Sequence, residues 1–295
     1  MKFKLLVMTV CFFVLILPLI YAEEMKYIYH PPESADDIRY NYHWELLNMA
    51  LEKTKETYGS YVMKPSQDIM NENRQKDALK KGINLTIMVF DAGQELESMF
   101  TPVRIPLDKG LLGYRVFLIK KSDQPRFSSI KTLDELKQLS VGQGMSWPDV
   151  QIWKANGFRV VTGDNYEGLF EMLLRKRFDF FSRGIVEVIG EYAQRKTQMP
   201  DLAIEETILL YYPAPFYFFF QKSEQGKRLA DRVEKGLLKT FEDKASFTPL
   251  FMKYHGDAIK RHNLKNRKIF HLNNPLLTPE TPLKDKRLWF DPTQE

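Results

Sequence analysis

Two arginines stand where they could bind a negatively charged ligand. Arg183 lies in a Ser-Arg-Gly turn after the bulky segment 178–181, and Arg104 stands between two prolines that stiffen the chain. A guanidinium binds a carboxylate through two parallel hydrogen bonds. The two arginines therefore predict a site for a small polar or anionic molecule. Arg104 is equally compatible with a surface position, and Glu187, one helical turn after Arg183, could pair with it instead.

A glycine turn in the middle of the chain supplies further candidates. Gln143 and Gly144 end a short apolar run, and Trp147 and Asp149 follow where a helix is predicted to begin. The free N–H groups of a helix start favour an anion, and the indole could stack on a flat or sugar-like ligand. Asp149 is equally suited to cap the helix, and a tryptophan is more often a packing residue than a ligand contact.

Two tyrosines lie at strand ends that are predicted to face the same cleft. Tyr29 ends the first strand and Tyr114 begins a later one, with ordinary strand packing as the alternative for both. The five histidines are scattered, and the sequence contains neither an HExxH spacing nor a serine elbow. The sequence therefore predicts a binding site without catalytic residues, cofactor or metal.

Strands and helices alternate in both halves of the chain. The predicted strands are 25–29, 61–63 and 83–90 in the first half and 140–144, 159–162 and 178–181 in the second. This alternation predicts parallel sheets, in which ligands bind beyond the carboxyl ends of the strands. The longest helix of the first half is predicted over 39–58. Two extended segments, 105–119 and 208–220, join the halves and are predicted to act as hinge strands.

The first residues have the pattern of a signal peptide. Lys2 and Lys4 precede an uncharged apolar run over 5–20, and Ala22 suits the last position before cleavage. We expect cleavage there, with an uncleaved anchor as the alternative, and export in either case. The single cysteine, Cys11, lies in this run, so the mature chain would have no thiol. The net charge of +5 is spread along the chain, which argues against nucleic-acid binding.

The order of these elements resembles the type II periplasmic solute-binding proteins of extracellular family 3, the polar amino acid binders. The resemblance covers nearly all of the mature chain to about His262 and rests on the signal peptide, the strand directly after it and three segments of the second half. These segments are Leu133-Asp-Glu-Leu-Lys137, Val141-Gly-Gln-Gly144 before a helix, and Lys176-Arg-Phe-Asp179. The tail beyond them looks like that of a divergent branch.

The resemblance implies an α/β fold of two parallel-sheet lobes joined by two crossover strands. Lobe 1 would comprise 23–115 and 216–262, and lobe 2 would comprise 116–215. The signal peptide would be 1–22, and the tail 263–295 is expected to pack along a lobe.

The family pattern is incomplete at two positions. The amino acid binders typically have an arginine shortly after the third strand of lobe 1, but segment 91–96 has none. They typically bind the amino group with an aspartate where this chain has Gly184. These departures leave the ligand class open.

The predicted function is a monomeric periplasmic solute-binding protein that closes on a small polar or anionic ligand and serves ABC-type uptake through a membrane transporter. One alternative is a ligand-sensing partner of a membrane receptor. The other is an exported lyase acting on small carboxylic acids, with Glu187 as its acid.

Overall fold

The computed structural model describes residues 24–32 and 40–292, so the predicted signal peptide lies outside the described residues. The strands are β1 (Met25–Tyr29), β2 (Tyr61–Pro65), β3 (Ile87–Asp91), β4 (Thr101–Val103), β5 (Tyr114–Lys120), β6 (Ser140–Gly144), β7 (Arg159–Gly163), β8 (Phe180–Gly184), β9 (Leu202–Ile204), β10 (Ile208–Tyr211), β11 (Phe216–Phe220) and β12 (Lys268–His271).

The helices lie between these strands and dominate the chain after β11. They are α1 (Asn41–Glu52), α2 (Lys55–Tyr58), α3 (Glu72–Lys81), α4 (Gln94–Met99), α5 (Gln124–Ser129), α6 (Leu133–Lys137), α7 (Asp149–Ala155), α8 (Tyr166–Leu174), α9 (Val188–Arg195), α10 (Glu224–Glu242) and α11 (Lys244–Arg261). Within the described residues, no helix is both long enough and apolar enough to cross a bilayer.

Several sequence-based boundaries differ from the structure, and two of the differences have a clear physical cause. The helix predicted over 39–58 is interrupted at Thr54, whose buried hydroxyl donates to the carbonyls of the preceding turn instead of facing solvent. The strand predicted over 83–90 begins only at Ile87, because Asn84 has a left-handed backbone (φ 63°) and Ile83 is 58% exposed.

Lobe 1 contains two small sheets that adjoin through Thr86. β1 pairs with β2 in parallel, and β11 lies between β3 and β4, antiparallel to both. The backbone amide of Ile28 donates to the hydroxyl of Thr86 (2.8 Å), and the amide of Thr86 donates to the Ile28 carbonyl (3.0 Å). These bonds bring β1 beside β3. The helices α1, α10 and α11 pack against one another on this lobe.

Lobe 2 is one larger sheet with the order β12-β10-β5-β8-β6-β7, and β9 also pairs with β5. The predicted parallel pairing is present between β6 and its neighbours β7 and β8. The sheet as a whole is mixed, because β5, from the first predicted crossover segment, joins it antiparallel to β8, β9 and β10. β5 enters directly from lobe 1, without the helical crossover that a parallel neighbour requires.

The two segments between the lobes touch at Gly113. The amide of Tyr212 donates to the Gly113 carbonyl (3.2 Å), and a Cβ added to Gly113 would lie 2.1 Å from the Tyr212 carbonyl oxygen. Pro213 and Pro215 then carry the second segment back into lobe 1, where the Pro215 carbonyl accepts a bond from Ala92 (2.8 Å). Only a residue without a side chain allows this approach.

Replacing Gly113 with alanine is expected to lower the free energy of unfolding by about 2 kcal/mol, because the new methyl group overlaps backbone that cannot rotate away. Urea denaturation of the purified variant measures the loss. Gly190→Ala is the matched control, since no atom lies within 4 Å of a Cβ at Gly190. Equal stability of the two variants would show that the segments at Gly113 can separate freely.

The tail after α11 contacts both lobes. β12 pairs in parallel with β10 at the edge of lobe 2. The chain then passes Pro213, whose carbonyl accepts a bond from the Asn274 side chain (2.8 Å), and the Leu276 carbonyl accepts from the Gln94 amide of lobe 1 (3.0 Å). Farther on, the Phe290 amide donates to the Lys109 carbonyl (2.8 Å), beside the first connecting segment. The tail therefore forms additional links between the lobes.

Trp289 fixes the end of this tail. Its ring lies directly against Gly110, where an added Cβ would approach it to 2.5 Å, and its indole N–H donates to the Pro282 carbonyl (2.9 Å). We expect Trp289→Ala to cost about 2 kcal/mol, less than in a lobe core because the tail can detach locally. Thermal unfolding measures this, with exposed Leu283→Ala as the control. A loss no larger than that of the control would contradict a structural role for Trp289.

Candidate functional site

The candidate site lies where two strands of lobe 2 end. β6 ends at Gly144 and β8 ends at Gly184, and their parallel pairing places both ends at one edge of the sheet. A short turn leads from Gly144 into α7, which begins at Asp149, and Glu187 occupies the position before α9. The edge that the sequence predicts thus carries acidic side chains at both helix starts.

Arg115, near the beginning of β5, joins these two carboxylates. Its guanidinium lies 2.9 Å from the carboxylate of Asp149 and 3.5 Å from that of Glu187, and it stacks 5.1 Å from the ring centre of Tyr212. The Tyr212 hydroxyl donates to Asp149. Burial opposes the positive charge of Arg115, but the carboxylate of Asp149 and its neighbours raise the pKa above the usual value. These side chains form a buried ionic cluster beside the second connecting segment.

Arg183, the predicted anion-binding residue, is already paired. Its Nε and Nη2 atoms lie 2.9 and 2.6 Å from Oε1 of Glu191, and Nη2 lies 3.2 Å from Glu187. The predicted alternative, a pair with Glu187, is therefore present, and Glu191 binds more closely still. The guanidinium also stacks 4.8 Å from the ring of Trp147. Burial disfavours its charge, but the carboxylates of Glu187 and Glu191 raise the pKa of Arg183.

Arg104 is paired as well, on lobe 1. Its Nε donates to the carboxylate of Glu97 in α4 (2.8 Å), and the same oxygen accepts a bond from the Thr278 hydroxyl in the tail (2.9 Å). The Glu97 side chain is almost wholly buried. The sequence could not show this pairing, because one of its partners comes from a distant tail. Glu97 therefore links the tail to lobe 1 and binds Arg104 at the same oxygen.

Gln143 and Trp147 line different sides of the β6 edge. Gln143 is wholly buried, and neither amide atom has a hydrogen-bond partner among the described residues. Trp147 is half-buried, stacks on Phe181 with ring centres 6.0 Å apart, and lines a hollow of about 310 Å³ together with Gly144 and Tyr166. Of the two, only Trp147 is accessible from the surface.

The two predicted tyrosines lie apart from each other. Tyr29 is half-buried at the end of β1 and stacks on Trp44 with ring centres 4.5 Å apart. Tyr114 is buried and donates its hydroxyl to the Phe290 carbonyl in the tail (2.8 Å). Tyr114 therefore lies at a groove of about 1310 Å³ between the tail, α10 and α11 instead of at the predicted site.

Asp91, the last residue of β3, is the lobe 1 member of the site and was not predicted. The residue is partly exposed, and its side chain has no hydrogen-bond or ion-pair partner among the described residues. Desolvation by the surrounding protein, followed by the carboxylate of Asp149, raises the pKa of Asp91 to about 7, against the attraction of Arg115. Asp91 of lobe 1 thus lies within electrostatic reach of the cluster in lobe 2. The only sequence signal was an acidic residue directly after a buried strand.

The acidic side chains of the site do not form a metal centre. Among residues 24–32 and 40–292, no three His, Cys, Asp or Glu side chains are grouped so that they could hold a metal ion. His43 and His255 lie in an aromatic cluster of lobe 1, where burial lowers their pKa to about 3 and about 4. They therefore remain neutral packing residues at physiological pH.

The architecture is shared with solved two-lobed binding proteins. One, from Wolinella succinogenes, is described as a binding component of an ABC transporter in complex with lysine; it is 14% identical, over 78% of this chain and 95% of that chain, with a TM-score of 0.53. A Bacillus subtilis protein is 17% identical over 85% of this chain and 96% of its own, with a TM-score of 0.51.

A third structure is the second substrate-binding domain of an amino acid ABC transporter from Streptococcus pneumoniae. It is 13% identical over 78% of this chain and 99% of that chain, with a TM-score of 0.51. No protein-family model and no curated protein matches the sequence. The chain therefore shares the two-lobed fold of these solved binding proteins, as its sequence predicted.

Proposed function

We propose that this chain is a solute-binding protein that closes its lobes on a small polar molecule. The observation that carries the proposal is the position of Asp91, at the end of a lobe 1 strand and within electrostatic reach of Arg115, Asp149 and Glu187 of lobe 2. In open α/β sheets, ligands bind beyond the carboxyl ends of strands. A molecule held there would contact both lobes and stabilise their closed arrangement.

The solved proteins with this fold support the same activity. Two are described as substrate-binding parts of ABC transporters, and one of these was solved with lysine. We extend this to uptake by an ABC-type transporter in the periplasm, after export directed by the predicted signal peptide. The chain would act as a monomer that delivers its ligand to a membrane partner.

The contacts of Glu187 argue against its role as the acid of an exported lyase. Glu187 accepts a bond from the Gly184 amide (2.8 Å) and lies beside the guanidinium groups of Arg115 and Arg183. Both carboxylate oxygens are thus engaged by donors of the protein itself. A general acid must deliver its proton to the ligand, so this geometry favours binding over proton transfer. A receptor-associated sensor would use the same cleft and differ only in its partner.

A ligand screen tests the proposal. Residues 23–295, refolded to remove any copurified solute, are heated with amines, amino acids, dicarboxylates, sugars and phosphorylated compounds. A ligand at one hundred times its Kd adds about 2.7 kcal/mol of stability, and small-angle X-ray scattering should show a smaller radius of gyration in its presence. No stabilisation by any class would contradict a solute-binding role, and depletion of the stabilising compound would indicate an enzyme.

A further inference from the structure

The positive charges at the site are neutralised by the protein itself. Arg115 lies between the carboxylates of Asp149 and Glu187, and Arg183 is bound by Glu191 through both Nε and Nη2. A ligand carboxylate would have to displace one of these buried pairs. Breaking such a pair without replacing it carries a high free-energy penalty, because a buried charge is then left alone.

Three backbone amides at the strand ends are occupied in the same way. After β3, the amides of Ala92 and Gln94 donate to the carbonyls of Pro215 (2.8 Å) and Leu276 (3.0 Å). After β6, the amide of Met145 donates to the Gly163 carbonyl (2.9 Å). These N–H groups would otherwise be donors for an anion. Their bonds to protein carbonyls make the site a poor receptor for a ligand carboxylate.

Glu187 occupies a place that an anionic ligand would suit. Its carboxylate accepts from the Gly184 amide and faces both Arg115 and Arg183. One amide and two guanidinium groups converging on one carboxylate is an arrangement that binds anions. Since the protein supplies that carboxylate itself, an external one has no place there.

Asp91 favours a positively charged ligand. Its carboxylate has no partner among the described residues and is within electrostatic reach of Asp149, Glu187 and Asp108, with Arg115 as the one positive group acting on it. A positively charged ligand would relieve this repulsion, whereas a second anion would add to it.

We infer that the ligand of this cleft is an organic cation, an ammonium or guanidinium compound without a carboxylate. The inference rests on the proposed function and specifies the chemical class of the ligand. A metal cation is a poor candidate because the described acidic residues are not grouped to hold one. The class expected is thus an alkylamine, diamine or guanidinoalkane, as opposed to an amino acid or a dicarboxylic acid.

Two pairs of probes measure the effect of a ligand carboxylate on binding. Cadaverine differs from lysine, and agmatine from arginine, by loss of the carboxylate, and succinate serves as the purely anionic probe. Isothermal titration of residues 23–295 at pH 8 should show at least one amine binding ten or more times more tightly than its amino acid partner, with no measurable binding of succinate. Tighter binding of the amino acids or of succinate would overturn the inference and leave the solute-binding function standing. No binding by any probe or by the wider screen would overturn both.

The Asp91→Asn variant tests whether Asp91 is responsible for the preference for amines. The amide nearly preserves the shape of the side chain and removes its charge, so the amine affinity should fall at least tenfold while the protein remains folded. Asp134→Asn is the matched control, since Asp134 lies in α6 with its side chain 90% exposed; it should leave affinity unchanged. If Asp91→Asn binds the amine as tightly as the wild type does, Asp91 is not the ligand's partner and the inference fails.

Discussion

Arg115→Met is expected to lower the free energy of unfolding by about 3 kcal/mol. The substitution removes the one guanidinium that faces both Asp149 and Glu187, whose side chains are only 18% and 35% exposed. Methionine retains much of the volume, so lost packing contributes little. The two carboxylates would then repel each other with no positive charge between them. Urea denaturation at pH 7 measures the difference from the wild type.

A matched substitution separates burial from charge. Arg175 also pairs with a glutamate, at 3.5 Å, but its side chain is 74% exposed, so Arg175→Met should cost less than about 0.5 kcal/mol. Adding Asp149→Asn to Arg115→Met should recover part of the loss, because it removes one of the stranded charges. If Arg115→Met is as stable as Arg175→Met, the cluster contributes nothing to the fold and the site's charge balance must be set elsewhere.

Much of the fold was predictable because local patterns agree with the tertiary structure. Strand β1 over 25–29 and strand β6 over 140–144 were predicted with the bounds observed, and the resemblance to two-lobed binding proteins identified the correct architecture. The errors arise where hydrophobic periodicity does not determine the backbone path. Thr54 interrupts a periodic helix by bonding to its own backbone, and β5 is antiparallel because of its route between the lobes.

The site was predictable only in outline. The glycine turn at Gly144 and the acidic residues Asp149 and Glu187 were expected at the edge of lobe 2. Sequence alone could not show that the arginines are paired, since the Arg104 pair is shared with Thr278 of the tail and Arg115 lies in what reads as an ordinary strand. The partner of a charged residue in a predicted strand cannot be assigned until the sheet register is known.

The tail bonds to lobe 1 near the end of β3. The Leu276 carbonyl accepts the Gln94 amide at the start of α4, and Thr278 holds the Glu97 carboxylate that pairs with Arg104. The Gln94 amide would otherwise be available near the end of β3. The tail therefore occupies one donor of lobe 1 in addition to linking the lobes.

The affinity for an amine should rise severalfold between pH 5.5 and pH 8. The pKa of Asp91 is raised to about 7, whereas an alkylamine stays protonated throughout this range. Below pH 7 the neutral Asp91 carboxyl must lose its proton before it can pair with the cation, so affinity falls as the pH decreases. Isothermal titration with cadaverine at four pH values measures the slope.

The same raised pKa has the opposite effect on the ligand-free protein. In the unfolded chain Asp91 ionises near its ordinary value of about 3.9, so between about pH 4 and pH 7 the folded state binds the proton more tightly. Stability from this group is present at low pH and is lost as pH rises through 7. Asp91→Asn should therefore melt at a higher temperature than the wild type at pH 8, with a smaller difference at pH 5.5.

Charged groups on several elements act on Asp91, and the variants used in this test must leave those groups unchanged. They are Asp149 at the start of α7, Arg115 in β5, Asp108 before β5 and Glu187 before α9. Burial also raises the pKa of Asp108, to about 6, although the amides of Leu112 and Gly110 oppose the shift. The Asp91→Asn variant distinguishes Asp91 from Asp108 as the source of the pH dependence. Its amine affinity, measured at higher ligand concentration, should lose most of its dependence on pH. A slope unchanged in the variant would assign the pH dependence to Asp108 and remove Asp91 from the binding equilibrium.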